Sequence, residues 1–210
     1  NQRALRVSAV VDPVKLIIDN YPETLVEEMT AINNPEDENS GTHVIRFSRE
    51  LYIERDDFME DGGKKFMRLG PGKEVRLKNG YIIKCDEDPA KCIEKDADGR
   101  IVCIHATYDP ESRSGMPGAD RKIKGKTLHW VSCNHCVPCE VRDYSCLWTC
   151  ENPRDAIKQY EREHGVRGID AMRPFRNPES LKVNKHAFVE EWAATLPHYT
   201  YLQFQRIGYY

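Results

Sequence analysis

The chain has 210 residues, of which 40% are hydrophobic and 31% are charged, and its formal net charge is −3. This composition excludes a disordered chain, and its longest apolar runs are far shorter than the roughly 20 residues of a membrane-spanning helix. The length suits one large domain or two small ones. Eight cysteines are too few for a disulfide scaffold, so we predict reduced thiols and a cytoplasmic protein. Because the chain begins with Asn1 rather than Met, we expect a fragment or a processed product.

Charge is segregated along the chain. Residues 16–42 contain seven acidic residues and no Lys or Arg, whereas residues 63–84 contain seven basic residues and the single acid Glu74. A second basic segment, DRKIKGK, follows at residues 120–126. Taken alone, a basic run is most often a solvated strand face. A local basic surface on an acidic chain would also favour the docking of a polyanion on that face.

Strand patterns dominate the first half of the chain. The predicted strands are RVSAVV (6–11), KLIID (15–19), HVIRF (43–47), ELYIERDDF (50–58), EVRLKN (74–79) and YIIKC (81–85). They are short and rich in β-branched residues, and several alternate apolar with polar residues, which is typical of half-buried strands. Residues 91–108 predict a hairpin, because the dipeptide Asp98-Gly99 accepts the positive φ of a tight turn.

The second half adds strands and one helix. After a polar loop come the predicted strands TLHWVS (127–132) and EVRDYSCLW (140–148), while FVEEWAATL (188–196) is ambiguous and YLQFQRIGYY (201–210) is strand-like. The segment NPRDAIKQYEREHG predicts a helix that Asn152 caps, Pro153 begins and Gly165 ends. Many short strands of this kind favour a barrel or a sandwich.

The segment VSCNHCVPC places Cys133, Cys136 and Cys139 three residues apart, with Cys146 and Cys150 close behind. By spacing alone these thiols could hold tetrahedral zinc. The motif lies between two predicted strands rather than in the tight glycine turn of a zinc knuckle, and Cys among small residues behaves as a small hydrophobe. We predict structural thiols and no metal, with zinc on Cys133, Cys136, Cys139 and Cys146 as the alternative, which metal analysis of the purified chain would test.

Seven segments, in order, carry a resemblance that covers almost the whole chain. They are RVSAVVDPVKLIIDNYP, FSRELYIERDDF, FMRLGPGKEVRLKNGYIIKC, TYDPESRSG, RKIKGKTLHWVS, RNPESLKV and YLQFQRIGYY. Together they resemble the C-terminal anticodon-binding region of the glutaminyl-tRNA synthetases. The resemblance implies an all-β fold of two tandem β-barrels of the ribosomal-protein-L25-like anticodon-binding type, with one short helix near 153–164. It places one barrel at about 1–60 plus 150–210 and the other at about 65–148.

The resemblance also implies a function. The full-length enzyme would ligate glutamine to tRNA(Gln) with ATP and Mg²⁺, and this chain, which lacks the HIGH-like and KMSKS-like motifs and the catalytic Rossmann domain, would need no cofactor of its own. Its partner would be the tRNA(Gln) anticodon loop, with no DNA or membrane partner, and we expect a monomer. Two alternatives stay open: the same region of a glutamyl-tRNA synthetase, and a zinc-stabilised, non-enzymatic RNA-binding or ribosome-associated barrel protein.

Anticodon contacts carry over from the family position by position. Arg6 and Gln203 match an arginine and a glutamine that read the central uridine, and Arg68 matches the arginine on the third base, a guanine. The other matching or neighbouring basic residues are Arg76 and Lys78 around the first base, Arg206 near the loop, and Lys65 and Lys73 in the basic run. Lys65 stands where the family has glutamine and Lys78 where arginine is common, so phosphate contacts are expected of these lysines.

Overall fold

The structure is a computed structural model and describes residues 3–209, with side chains through residue 208. The strands are β1 (Leu5–Val7), β2 (Ala9–Val10), β3 (Pro13–Ile18), β4 (Glu27–Ile32), β5 (Thr42–Phe47), β6 (Glu50–Glu54), β7 (Glu74–Leu77), β8 (Ile82–Lys84), β9 (Ile93–Lys95), β10 (Ile101–Asp109), β11 (Thr127–Leu128), β12 (Val131–Ser132), β13 (Cys136–Tyr144), β14 (Leu181–Glu190), β15 (Leu202–Phe204) and β16 (Gly208–Tyr209). The helices are α1 (Pro89–Cys92), α2 (Pro153–His164) and α3 (Ile169–Met172). Strands predominate, which confirms the predicted all-β, barrel-like fold class.

The chain divides into two compact units. Of the described residues, 3–139 together with 186–209 form the first, and 140–185 form the second. The division into barrels at 1–60 plus 150–210 and at 65–148 stays a prediction, and the units seen here have different limits. No helix in the described part of the chain is long and apolar enough to cross a membrane.

The first unit is built on a large sheet in the order β11-β7-β8-β10-β3-β6-β12, with β9 paired to β10. β3 alternates half-buried and buried residues, so one face of the strand carries Val14, Leu16 and Ile18 into the core. β10 pairs with β3 in parallel and with β8 and β9 antiparallel, which makes this nine-residue strand the centre of the sheet.

An aromatic cluster fills the core between this sheet and the β4–β5 hairpin. Phe47 is fully buried, and its ring lies 5.1 Å from that of Tyr21, 5.3 Å from Tyr81 and 5.0 Å from Trp130, all edge to face. The Glu27 carboxylate accepts hydrogen bonds from the Tyr21 and Tyr81 hydroxyls at 2.6 and 2.7 Å. Burial, together with this carboxylate, raises the pKa of both phenols, so the hydroxyls remain donors at every physiological pH.

Most of the predicted elements are present. The helix is confirmed as α2, with the Asn152 side chain accepting from the Asp155 N–H and Gly165 in the left-handed region at φ 68°. The hairpin is confirmed as β9 and β10, with Gly99 at φ 79° in its turn. Tyr210, the last residue of the predicted strand at 201–210, lies outside the described residues, and the rest of that segment forms β15 and β16 around a turn at Arg206.

Several segments differ from their predictions. TLHWVS forms two strands with different partners, since β11 pairs with β7 and β12 pairs with β6. The strand in ELYIERDDF ends at Glu54, where the 3-10 helix Arg55–Asp57 follows, and the strand in EVRDYSCLW, β13, ends at Tyr144. RVSAVV is two strands rather than one, because β1 pairs with β15 while β2 pairs with β14 in another sheet. In FVEEWAATL the strand β14 ends at Glu190 and a single 3-10 helix, Glu191–Thr195, follows. The ambiguity of that segment was therefore real, since it contains both kinds of structure.

Glu54, at the end of β6, fastens the turn between β2 and β3. Its carboxylate accepts from the Val11 and Asp12 N–H groups at 2.6 and 3.0 Å, and His129 Nε2 lies 3.5 Å from Oε1, an ion-pair distance. Burial alone would raise the pKa of Glu54, but His129 and the two backbone donors outweigh it, so the pKa is lowered. A carboxyl with a lowered folded-state pKa stabilises the fold above its unfolded-state pKa.

Replacing Glu54 by glutamine should lower the free energy of unfolding by roughly 1.5 to 3 kcal/mol at neutral pH, because hydrogen bonds to a charged group are lost. The difference between the wild type and Glu54→Gln should shrink below the ordinary Glu pKa of about 4.3 and vanish as the pH falls through the lowered folded-state value. Urea unfolding of both proteins across this range measures it. A difference that did not change with pH would contradict the assignment.

Candidate functional site

Two basic segments that are separate in the sequence meet beside β7. β11 pairs with β7 in parallel, Thr127 opposite Arg76, and this pairing carries the preceding DRKIKGK segment alongside residues 73–76. The Lys126 N–H donates to the Met67 carbonyl at 2.8 Å. At Gly125 the two segments of the backbone approach so closely that a Cβ would overlap the Glu74 carbonyl oxygen, so only glycine fits there.

The result is a cavity of about 580 Å³, here called the basic cleft. The basic side chains that line it are Lys64, Arg68, Lys73, Lys84, Lys122 and Lys124. Glu74 also lines it, but its carboxylate is paired with Arg121 at 2.9 Å. The cleft is therefore positively charged. Of the six cations only Arg68 and Lys73 belonged to the predicted site, although the density of Lys in both segments was a signal for the other four.

Arg68, which lines the basic cleft, shares the carboxylate of Asp57 with Arg206. Asp57 is nearly inaccessible, with 2% of its side chain exposed, and Arg206 binds it through both Nη atoms at 2.8 and 2.9 Å. Arg68 Nε lies 3.2 Å from the same carboxylate, and Arg68 Nη1 donates to the Asp56 carbonyl at 3.0 Å. Both guanidinium groups stay about a third exposed, so Asp57 orients them while leaving donors for a ligand.

Arg6 and Gln203 form a second group, here called the Arg6 pocket. They are direct partners on the parallel strands β1 and β15. Arg6 Nη2 donates to Glu36 at 2.9 Å, whereas Arg6 Nη1 and Gln203 Oε1 are buried and have no hydrogen-bond partner within residues 3–208. An unpaired donor and an unpaired acceptor thus lie on adjacent residues. Buried polar atoms without partners are rare and need an explanation, such as a missing ligand.

Lys78 belongs to the surroundings of the same pocket. It is half-buried, and burial lowers its pKa from the ordinary value. The charge of Arg6 acts in the same direction and that of Glu190 opposes it. The structure therefore brings together Arg6, Lys78 and Gln203, which are separated by 72 and 125 positions in the sequence.

Three further residues of the predicted RNA-binding set lie outside these two groups of contacts. Arg76 donates to the Ser112 and Ala119 carbonyls at 3.1 and 2.5 Å, and so holds the loop that follows β10. Lys73 Nζ donates to the Gly63 and Phe66 carbonyls at 2.7 and 2.8 Å and lies over the Phe66 ring. Lys65 is exposed. The RNA contacts assigned to these side chains stay predictions. Arg76 and Lys73 would have to give up their hydrogen bonds to backbone carbonyls in order to contact RNA with the same donors.

Among the described residues of the first unit, Cys133, Cys136 and Cys139 do not form a group of three ligand atoms close enough to share a metal ion. Burial raises the pKa of the Cys133 thiol to about 12 and that of Cys136 to about 11, and it raises the pKa of Cys103 to about 11 as well, so these values do not distinguish the motif from other thiols. Among the residues that the structure describes, one group of three metal-ligating side chains has its ligand atoms within 4.8 Å of one another, and it consists of Glu94, Cys103 and His105. The interpretation of Cys133, Cys136, Cys139 and Cys146 as structural thiols stays a prediction.

Comparisons with known proteins agree with the fold. The family model described as the anticodon-binding domain of class I tRNA synthetases (E and Q) matches residues 4–109, and a second model of the same description matches residues 127–210. Glutamine–tRNA ligases from Clostridium perfringens, Rhodopirellula baltica and Xylella fastidiosa are 43%, 44% and 42% identical over 209, 210 and 210 residues.

These alignments cover 99 to 100% of this chain, but the chain spans only about a third of the length of these relatives, 34%, 32% and 33% respectively. The matched part is the anticodon-binding part. On these matches, the chain belongs to the anticodon-binding domain family of the class I glutamyl- and glutaminyl-tRNA synthetases.

Proposed function

We propose that this chain binds the anticodon loop of tRNA(Gln) as the RNA-reading part of a glutamine–tRNA ligase. The single observation that carries the proposal is the pair of unpartnered buried atoms, Arg6 Nη1 and Gln203 Oε1, on neighbouring strands. RNA-binding proteins read unpaired loop bases by hydrogen bonds to their edges, because the A-form major groove is too narrow for side chains. A buried donor beside a buried acceptor is the arrangement that such reading needs.

Uracil fits this pair chemically. Its Watson–Crick edge carries carbonyl oxygens on either side of an N–H, so an arginine can donate to a carbonyl while the glutamine oxygen accepts from the N–H. Cytosine has an acceptor nitrogen in place of the uracil N–H and an amino donor in place of one carbonyl, so the nitrogen would oppose the glutamine oxygen and the amino group would oppose the arginine donor. The family resemblance independently assigns Arg6 and Gln203 to the central uridine of the anticodon.

The basic cleft is the surface that we assign to the phosphates and to the third anticodon base. The basic cleft offers exposed lysines such as Lys122 and Lys124, which suit the loop backbone because phosphate contacts supply affinity without reading sequence. Arg68 lines the cleft and carries a planar fork that is suited to guanine O6 and N7. One surface can therefore combine backbone binding with base recognition.

The properties of the whole protein follow as proposals. Catalysis, which would join glutamine to tRNA(Gln) with ATP and Mg²⁺, is assigned to the part of the relatives that this chain does not cover. The chain itself would bind RNA without a cofactor. We propose a cytoplasmic monomer with no membrane partner. We propose no DNA partner either, because the site is suited to splayed bases rather than to a duplex groove.

The proposed reading of uridine is tested with Gln203→Leu, which keeps the size of the side chain and removes the acceptor. Wild type should bind a stem-loop with uridine at the central position more tightly than one with cytidine. Gln203→Leu should lose roughly 1 kcal/mol on the uridine loop and most of this discrimination. Fluorescence anisotropy with both stem-loops measures it.

The matched control is Gln159→Leu, on an exposed glutamine of α2 in the second unit whose Nε2 donates to Glu163 at 2.8 Å. It should change neither affinity nor discrimination. An equal loss on both loops in Gln203→Leu would show that Gln203 supports the fold of the pocket and does not read the base. Preference for a glutamate-type anticodon would indicate the glutamyl enzyme.

A further inference from the structure

A cluster of metal-ligating side chains lies on the β9–β10 hairpin, apart from the Arg6 pocket and from the residues that line the basic cleft. Glu94 on β9 is the cross-strand partner of Cys103 on β10, and His105 follows two residues after Cys103. Side chains two residues apart on a strand point to the same face, and cross-strand partners share that face. The pairing register alone therefore brings a carboxylate, a thiol and an imidazole together.

The distances are those of a nearly formed site. His105 Nε2 lies 2.9 Å from Glu94 Oε1 and 3.9 Å from Cys103 Sγ, and the three ligand atoms are all within 4.8 Å of one another. Tetrahedral zinc with the usual bond lengths would separate nitrogen from oxygen by roughly 3.3 Å and nitrogen from sulfur by roughly 3.6 Å. The nitrogen–oxygen and nitrogen–sulfur distances are within about half an ångström of these values, and the Glu94 oxygen and the Cys103 sulfur lie within 4.8 Å of each other, against roughly 3.6 Å around tetrahedral zinc.

A fourth residue holds the imidazole in place. Asp19, which follows β3, lies 2.8 Å from His105 Nδ1, so the ring directs Nε2 toward Glu94 and Cys103. Metal-binding histidines in proteins almost always have a carboxylate or carbonyl on the other ring nitrogen, which fixes the tautomer and the ring orientation. Asp19 lies outside β9 and β10, which carry the three ligands, so its contact is a separate observation that favours the same chemistry.

We propose that Glu94, Cys103 and His105 bind a divalent transition-metal ion, with Asp19 as the positioning residue. Zinc suits the set, because it accepts thiolate, imidazole and carboxylate ligands in one tetrahedral site. The fourth position would be open to water. The Glu94 side chain is 61% exposed, so the cluster is open to solvent on that side, and Asp19 and His105 line a cavity of about 570 Å³.

The site is tested on the purified chain, stripped of metal under reducing conditions. Zn²⁺ titrated by calorimetry should bind at about one equivalent, and Co²⁺ should produce the thiolate-to-cobalt charge-transfer absorption of a sulfur ligand. Cys103→Ser should abolish that absorption and His105→Gln should abolish tight binding. Asp19→Asn should retain the absorption but weaken affinity about 10- to 100-fold, as expected of a residue that only orients a ligand.

The matched control is Cys136→Ser, in the cysteine motif, which should leave both signals unchanged. Glu94→Gln provides a further test if a variant of the buried Cys103 fails to fold, because the Glu94 side chain is 61% exposed and its substitution should weaken Zn²⁺ binding without affecting folding. Absence of binding by the wild type, or binding that Cys136→Ser abolishes and Glu94→Gln does not change, would overturn the proposal. RNA affinity should be the same in Glu94→Gln and wild type, so failure here is separable from failure of the proposed function.

Discussion

Replacing Arg68 with alanine should weaken binding of a tRNA(Gln) anticodon stem-loop by roughly 1 to 3 kcal/mol, and most of this loss should require guanine at the third anticodon position. The reason is the geometry of the guanidinium. It lines the basic cleft, Asp57 and the Asp56 carbonyl orient it, and it stays 37% exposed. Affinities for the cognate stem-loop and for one with a different third base, each at two salt concentrations, measure the effect.

Two matched variants separate the contributions. Asp57→Asn keeps both guanidinium groups and removes the buried charge that orients them, so it shows the structural effect of losing that ion pair. Lys122→Ala removes an exposed cation from the cleft and should weaken all loops alike, with the salt dependence lowered by about one contact. Lys73 is a poorer control, because its ammonium group holds two backbone carbonyls.

If Arg68→Ala lost the same affinity on both loops and lowered the salt dependence as Lys122→Ala does, Arg68 would bind only phosphate. If Asp57→Asn instead reproduced the loss of Arg68→Ala on both loops, the role of Arg68 would be to stabilise the segment around Asp57. Guanine-specific loss is expected only of a side chain that contacts the base itself.

Replacing Phe47 with alanine should lower the free energy of unfolding by about 3 to 5 kcal/mol. Phe47 is 0% exposed and has edge-to-face contacts with three aromatic rings, so the substitution removes both apolar area and aromatic pairs and leaves a cavity. Urea unfolding of the chain measures the change. At low temperature, where the variant remains folded, the loss of RNA-binding free energy should be smaller than the loss of unfolding free energy.

Val44→Ala is the control, because Val44 lies on the same strand, β5, with its side chain on the exposed face and 49% accessible. Its effect should stay within about 0.5 kcal/mol. Similar losses from the two substitutions would mean that the cluster around Phe47 is not the main core of this unit.

The sequence by itself determined the elements whose causes are local. α2 was predictable because Asn152, Pro153 and Gly165 act on backbone groups within one turn of the helix. β3 and β6 were predictable because alternation reports burial on one face. β4 was not predicted, since its sequence EEMTAI alternates only weakly and begins with two acids; its register opposite β5 places Met29 and Ala31 in the core.

The candidate sites depended on tertiary structure to a greater degree. The basic segments were visible as runs of Lys and Arg, but the parallel pairing of β11 with β7 decided that they line one cleft. The sequence predicted RNA contacts for Arg76 and Lys73, but in the fold both side chains donate hydrogen bonds to backbone carbonyls. Arg68 and Arg206 share the carboxylate of Asp57. Local sequence could not predict this, because Arg206 and Asp57 are 149 positions apart.

The metal-ligating residues show the same division. The sequence drew attention to C-x-x-C-x-x-C, where three thiols are close along the chain, whereas the structure groups Glu94, Cys103 and His105, with Asp19 beside them. Sequence spacing sets which side chains share a face of one strand. Which strands become neighbours, and in what register, is decided by the burial of apolar faces over the whole chain, and only that pairing brings donors and acceptors from distant segments within bonding distance.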